Sequence, residues 1–161
     1  MRNLSILKIQ CGHSSRPSIL VYNNLKHRIK KNEGFSSKPY KDQLGNLTIG
    51  YGHLIKKNEE QFSKLNFSKE ELTTLFEKDF DKAKKNHTKH FSKLKLNKYE
   101  DELLIEMIFQ LGIKNVLSFK KMIKAIKNKK RYLAAFEMMN SLWYKQTPKR
   151  VENLLKNYLR Q

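Results

Sequence analysis

Apolar residues recur at helical spacing through the second half of the chain and give way to alternation and turns in the first third. The clearest run follows Ser68-Lys-Glu-Glu71, which has the form of a capping box. Leu72, Leu75, Phe76, Phe80 and Ala83 then share one stripe, with Glu77, Lys78, Asp81, Lys84 and Lys85 opposite. A helix from there to about His87 spans roughly 30 Å, long enough to join two lobes. Asn97, with Glu100 three positions on, caps a second helix to Leu111. Leu103, Leu104, Ile105, Met107, Ile108 and Phe109 make it apolar almost all round, the pattern of a central buried helix, and Gly112 stops it. Ser118 is placed to cap a short helix with Phe119, Met122, Ile123 and Ile126. Beyond a basic break at 128–131, Tyr132 to Leu142 reads as a helix with Tyr132, Ala135, Phe136 and Met139 on its apolar face. Thr147-Pro148 reads as a cap and a first-turn proline, followed by Val151, Leu154, Leu155, Tyr158 and Leu159.

The first third differs. Residues 1 to about 22 show no sustained period and are expected to be the least ordered. Asn24 to Asn32 suits a short basic helix capped by Asn24, with Leu25 and Ile29 one turn apart, ending at Glu33-Gly34. Tyr40, Leu47, Thr48, Ile49 and Tyr51 favour strands around a turn at 44–46, which predicts a small antiparallel sheet. The expected fold is α+β: a short helix and sheet lobe over 23–67, a connecting helix over 68–90 and a helical lobe over 91–161, with a cleft between the lobes.

Composition narrows the picture. The 161 residues suit one domain, and 39% hydrophobic residues suffice for a core. Cys11 is the only cysteine, so no intramolecular disulfide forms. No apolar run reaches the ~20 residues of a membrane-spanning helix, and no signal-peptide core is evident. The net charge of +19 predicts attraction to a polyanion: nucleic acid, an acidic membrane or an anionic wall. Lysines are spread along the chain, which suits a diffuse field rather than a nucleic-acid-binding arm.

Chemistry concentrates between residues 33 and 53. Glu33 and Asp42 stand nine residues apart, with Thr48 six further on, among turn-formers and glycines. Two carboxyl groups flanking a cleft suit glycoside hydrolysis: one donates a proton to the leaving oxygen, the other activates water or attacks carbon. By spacing alone, an acid at a helix end and an aspartate beside a turn are equally ordinary capping and turn residues.

The full string is more specific. Glu33-Gly34, Tyr40-Lys41-Asp42, Gly45 and Thr48-Ile49-Gly50-Tyr51-Gly52-His53 closely resemble the signature of the phage-type lysozymes, glycoside hydrolase family 24. Phe76 to Asp81, Met107 to Gly112 and Trp143 to Arg150 resemble further motifs of that family, in the same order. The resemblance covers about residues 25 to 161 and implies a monomeric peptidoglycan hydrolase without metal or other cofactor. It implies Glu33 as general acid, Asp42 as the carboxylate that activates water and Thr48 as the group that positions it. Arg150 corresponds to an arginine that orients the glutamate, and His53 and Asp79 to a structural pair. Leu54, Phe109 and Gln110 correspond to residues lining the saccharide cleft, although Phe109 equally suits core packing, and Trp143 fits a core better than a sugar platform. The family's best-known members invert the anomeric carbon, which requires the carboxyl groups to lie about 6.5–9.5 Å apart.

Two departures stand out. Only residues 54 to 67 separate His53 from the capping box, so the sheet lobe reads as trimmed, and residues 1 to about 22 have no counterpart. The expected setting is that of an endolysin, held in a host cytoplasm until a holin-type pore releases it to the wall. Competing readings are a lytic transglycosylase, a nucleic-acid-binding module without catalysis, and membrane damage by the basic helix 149–161. No helix-turn-helix or aromatic RNA-binding motif supports the second.

Overall fold

The computed structural model describes residues 22–42, 45–64 and 66–160. The expectation for residues 1–21 lies outside them. The chain runs α1 (Asn23–Glu33), β1 (Ser36–Lys41), β2 (Leu47–Gly50), β3 (His53–Leu54), α2 (Gln61–Lys64), α3 (Lys69–Phe91), α4 (Lys98–Ser118), α5 (Lys120–Lys127), α6 (Arg131–Met139), α7 (Leu142–Gln146) and α8 (Pro148–Tyr158). This is an α+β architecture, with one antiparallel sheet of order β1-β2-β3 set against helices.

Both capping boxes form. Ser68 Oγ accepts from the Glu71 amide while Glu71 accepts from the Ser68 amide, and Asn97 and Glu100 repeat the exchange. The α3 helix continues one turn beyond His87 to Phe91, for a length of ~34 Å. It buries Leu72, Phe76, Phe80, Ala83, His87 and Phe91, leaving Leu75 partly exposed. Gly112 interrupts α4 as expected, at φ 74° and ψ 155°, which a side chain would strain. Helix then resumes as far as Ser118.

Several predicted ends are corrected. Asn24 lies within the first turn of α1, whose cap position is Tyr22 and has no side-chain cap. Ser118 ends α4 rather than capping α5, because its hydroxyl donates to the Asn115 carbonyl one turn back. Thr147 likewise donates back to the Trp143 carbonyl, so it precedes Pro148 without capping α8 through its side chain. The predicted helix from Tyr132 to Leu142 divides, since Ser141 caps a separate α7 through the Tyr144 amide. The apolar face assigned to α6 is also wrong. Ala134, Ala135 and Met138 face the core, whereas Tyr132, Phe136 and Met139 are exposed.

Two apolar cores result. Leu25, Ile29, Phe76, Phe80 and Ile105 join α1, α3 and α4. A larger core fills the C-terminal bundle from Ala83 to Tyr158 and includes Trp143. Phe109 packs against both and meets the Phe76 ring at 5.3 Å between centroids.

A buried polar network also ties α1 to α4. Arg28 donates to Glu106 at 2.7 Å and to Glu102 at 3.3 Å, and the Asn32 amide donates to the other Glu106 oxygen at 3.0 Å. Glu106 is 3% exposed, so its charge depends on these donors. Removing the carboxylate leaves Arg28 with Glu102 alone and takes away the acceptor of the Asn32 amide. Glu106→Ala is expected to cost roughly 3 kcal/mol or more in urea unfolding, well above an average exposed substitution.

Candidate active site

Glu33 is the last residue of α1, and two other parts of the chain close on it. Arg150, from the first turns of α8, places Nη2 2.7 Å from Glu33 Oε1. Gly52, in the turn between β2 and β3, lies so close that a Cβ there would sit 3.0 Å from Glu33 Oε2. Gln110 of α4, with its amide oxygen facing the available donors, accepts from Arg150 Nη1 at 2.9 Å and from Trp143 Nε1 at 3.2 Å. The order Trp143–Gln110–Arg150–Glu33 thus runs from the buried bundle core to the carboxyl group. Burial raises the Glu33 pKa, Arg150 opposes that by charge and hydrogen bonding, and the Glu106 charge adds to the rise; the outcome is a carboxyl group above its ordinary range.

Asp42 follows β1 at the mouth of a turn. Its Oδ1 accepts from the Asn46 amide at 2.8 Å and its Oδ2 from the Asn46 side-chain amide at 3.1 Å. The Asn46 carbonyl accepts in turn from the Asp42 amide at 2.9 Å and from Thr48 Oγ1 at 3.3 Å. One asparagine therefore links Asp42 to Thr48. Tyr40, Thr48 and Leu54 are direct cross-strand partners on β1, β2 and β3, so they share one sheet face. Tyr40 has a raised pKa, first by burial, then by the charges of Glu33 and Asp42, which places both acids within electrostatic reach of one phenol.

Leu54, on that sheet face, borders a cavity of about 590 Å³ whose lining includes neither Asp42 nor Thr48. Leu54, Phe109, Gln110, His53 and Asp79 all line it, together with Gly52. Glu33 adjoins it through Gly52 and through the Gln110–Arg150 contact. A second cavity of about 640 Å³, among α4, α5 and α7, has Trp143 on its wall and none of the other predicted site residues.

His53 is buried between two carboxylates. Its Nδ1 lies 2.6 Å from Asp79 Oδ2 on α3, and its Nε2 lies 3.3 Å from Glu59 Oε2. Burial pushes the imidazole pKa down, but the Asp79 hydrogen bond and charge, with help from Glu59, leave it raised. Glu59 also accepts from the Lys56 amide at 3.1 Å, so it pins the trimmed segment after β3. Neither Glu59 nor the linking Asn46 was expected from the sequence. Glu59 lies six residues beyond the histidine with no periodic relation to it, whereas Asn46 at a turn was a readable signal for side-chain-to-backbone bonding. Glu106 was missed too, although an acid inside an otherwise apolar helix was its visible mark.

A partly buried glutamate at a helix end and an aspartate beside a small sheet are the kind of carboxyl pair that glycoside hydrolysis uses. Residues 30–159 match the family model for phage lysozyme, and the chain belongs to that family. It is 38% identical over 158 residues to "Probable T4-type lysozyme 2" of Dictyostelium discoideum and 34% identical over 158 residues to "Probable T4-type lysozyme 1" of the same organism, each covering 84% of this chain and 93% of the relative. It is also 30% identical over 151 residues to the "Pre-baseplate central spike protein Gp5" of Enterobacteria phage T4, covering 78% of this chain and 26% of that protein. The protein is thus a glycoside hydrolase of lysozyme type.

Two consequences can be measured. Gly52 has φ +80°, so Gly52→Ala adds backbone strain of about 1–2 kcal/mol and pushes directly on Glu33. Turnover should fall by more than the lost stability explains, read as activity per folded molecule. Because the His53 pKa is raised on folding, its ion pairs stabilise fully below the ordinary imidazole value of about 6.5 and fade as pH rises through the folded value. Thermal melts of His53→Asn should show a deficit of about 1.5–3 kcal/mol at pH 5.5 that shrinks by pH 9.

Proposed function

We propose that this protein is a muramidase that hydrolyses the bond between N-acetylmuramic acid and N-acetylglucosamine in bacterial peptidoglycan. In this reading a glycan strand occupies the cleft along Leu54, Phe109 and Gln110. Glu33, protonated, donates to the glycosidic oxygen as the bond to the anomeric carbon breaks. The Asp42 carboxylate takes a proton from a water that attacks that carbon, and the Thr48 hydroxyl positions the water. The product is a reducing end of inverted configuration.

The observation that carries this reading is the setting of Glu33, held by Arg150 at 2.7 Å and adjoining the cleft through Gly52. A general acid needs a raised pKa, and burial shifts Glu33 in that direction despite the Arg150 contact. Arg150 then serves to orient the carboxyl group, with Gln110 holding the guanidinium in place. The sign of the pH effect follows: turnover should decline as pH rises through the Glu33 pKa. A surface of net charge +19 would add electrostatic attraction to an anionic cell envelope.

Mass spectrometry of digested, purified peptidoglycan tests bond and mechanism together. Reducing muramic acid ends are expected; anhydro-muramic ends would replace hydrolysis by transglycosylation. Glu33→Gln and Asp42→Asn should each lower turnover about 10²–10⁴-fold while melting as folded proteins. Near-normal activity of Asp42→Asn would remove it from the mechanism.

A further inference from the structure

The α6 helix turns its two alanines and Met138 inward and its other large apolar residues outward. Ala134, Ala135 and Met138 are buried, whereas Tyr132 is 70% exposed, Phe136 60%, Met139 48%, and Leu142, at the start of α7, 69%. An ordinary surface helix does the reverse, and a monomeric protein seldom exposes so many large apolar side chains in one short stretch.

What surrounds this patch indicates what it meets. Between Phe119 and Leu142 the chain carries seven lysines or arginines and one acid, Glu137. Lys130 and Arg131 lead directly into α6, Lys129 before them being paired with Glu100 at 2.7 Å, and Arg131 lies over the Tyr132 ring, 5.0 Å from its centroid. Such a surface can bury apolar side chains and neutralise negative charge at once. That combination matches the boundary of an anionic bilayer, where acyl chains lie beneath phosphate headgroups. A nucleic acid would use the cations but not Phe136, Met139 and Leu142. None of these apolar residues lines the 590 Å³ cleft, so the surface is separate from the active site.

We propose that the α5–α6 face is a docking surface for anionic phospholipid membranes, with Tyr132, Phe136, Met139 and Leu142 entering the headgroup boundary and the flanking lysines binding phosphates. The basic C-terminal helix, whose regular apolar face suits bundle packing better than membrane damage, buries Val151, Leu154, Leu155 and Tyr158 in the bundle.

Sedimentation of the full chain with vesicles tests this. Binding to phosphatidylglycerol–phosphatidylcholine vesicles should exceed binding to phosphatidylcholine vesicles roughly tenfold or more at physiological ionic strength. The charge-neutral double variant Phe136→Gln/Leu142→Gln should lose roughly tenfold in partition to the anionic vesicles. Its melting and its hydrolysis of soluble glycan fragments should stay unchanged. A Phe136→Trp reporter should shift its emission to shorter wavelength on anionic vesicles. Equal binding to both vesicle types, or unchanged partition of the double variant, would overturn the proposal. So would a concentration-dependent dimer that the double variant dissolves, since a second copy would then cover the patch.

Discussion

Glu33 and Arg150 meet at 2.7 Å from opposite ends of the chain, and most of the structure is arranged around that contact. The pair is a compromise between opposing electrostatic effects. Burial disfavours the carboxylate and raises its pKa; the guanidinium favours it and fixes its direction. An exposed glutamate would be too acidic to donate near neutral pH, and a buried one without Arg150 would have no fixed orientation. Gln110 and Trp143 extend the support inward, so the register of α8 against α4 decides where the carboxyl group points.

The Arg28–Glu102–Glu106 network bears on the same point from the other side. Glu106 holds Asn32, the residue before Glu33, and thereby fixes the end of α1 against α4. Its negative charge also works against ionisation of Glu33. A single buried acid therefore acts both as a structural tie and as an electrostatic neighbour. On the sheet side, Asn46 has the corresponding place, fixing Asp42 and Thr48 through one turn.

Legibility followed the range of the interaction. The Ser68 and Asn97 capping boxes, the stop at Gly112 and the strands around Thr48 were readable because each depends on neighbours a few residues away. The capping roles expected of Asn24 and Ser118 failed at the same range. Nothing in either residue type distinguishes a hydroxyl or amide that caps forward from one that does not. His53, Asp79, Leu54, Phe109 and Gln110 could be named one by one from motifs, but their meeting on one cavity wall depends on packing.

The sequence by itself determined the α+β class, the order of its helices and strands, and the family, because periodicity, caps and motif strings are local and additive. Only the tertiary structure decided which way α6 faces, which carboxylates hold His53, and that Gln110 supports Arg150 as well as lining the cleft. Each of those depends on what another segment brings to the same point. Helical spacing marks Tyr132, Phe136 and Met139 as apolar neighbours, but whether that side meets a core is settled by how closely its neighbours approach. Here the two alanines allow the close approach, and the aromatic residues are left outside.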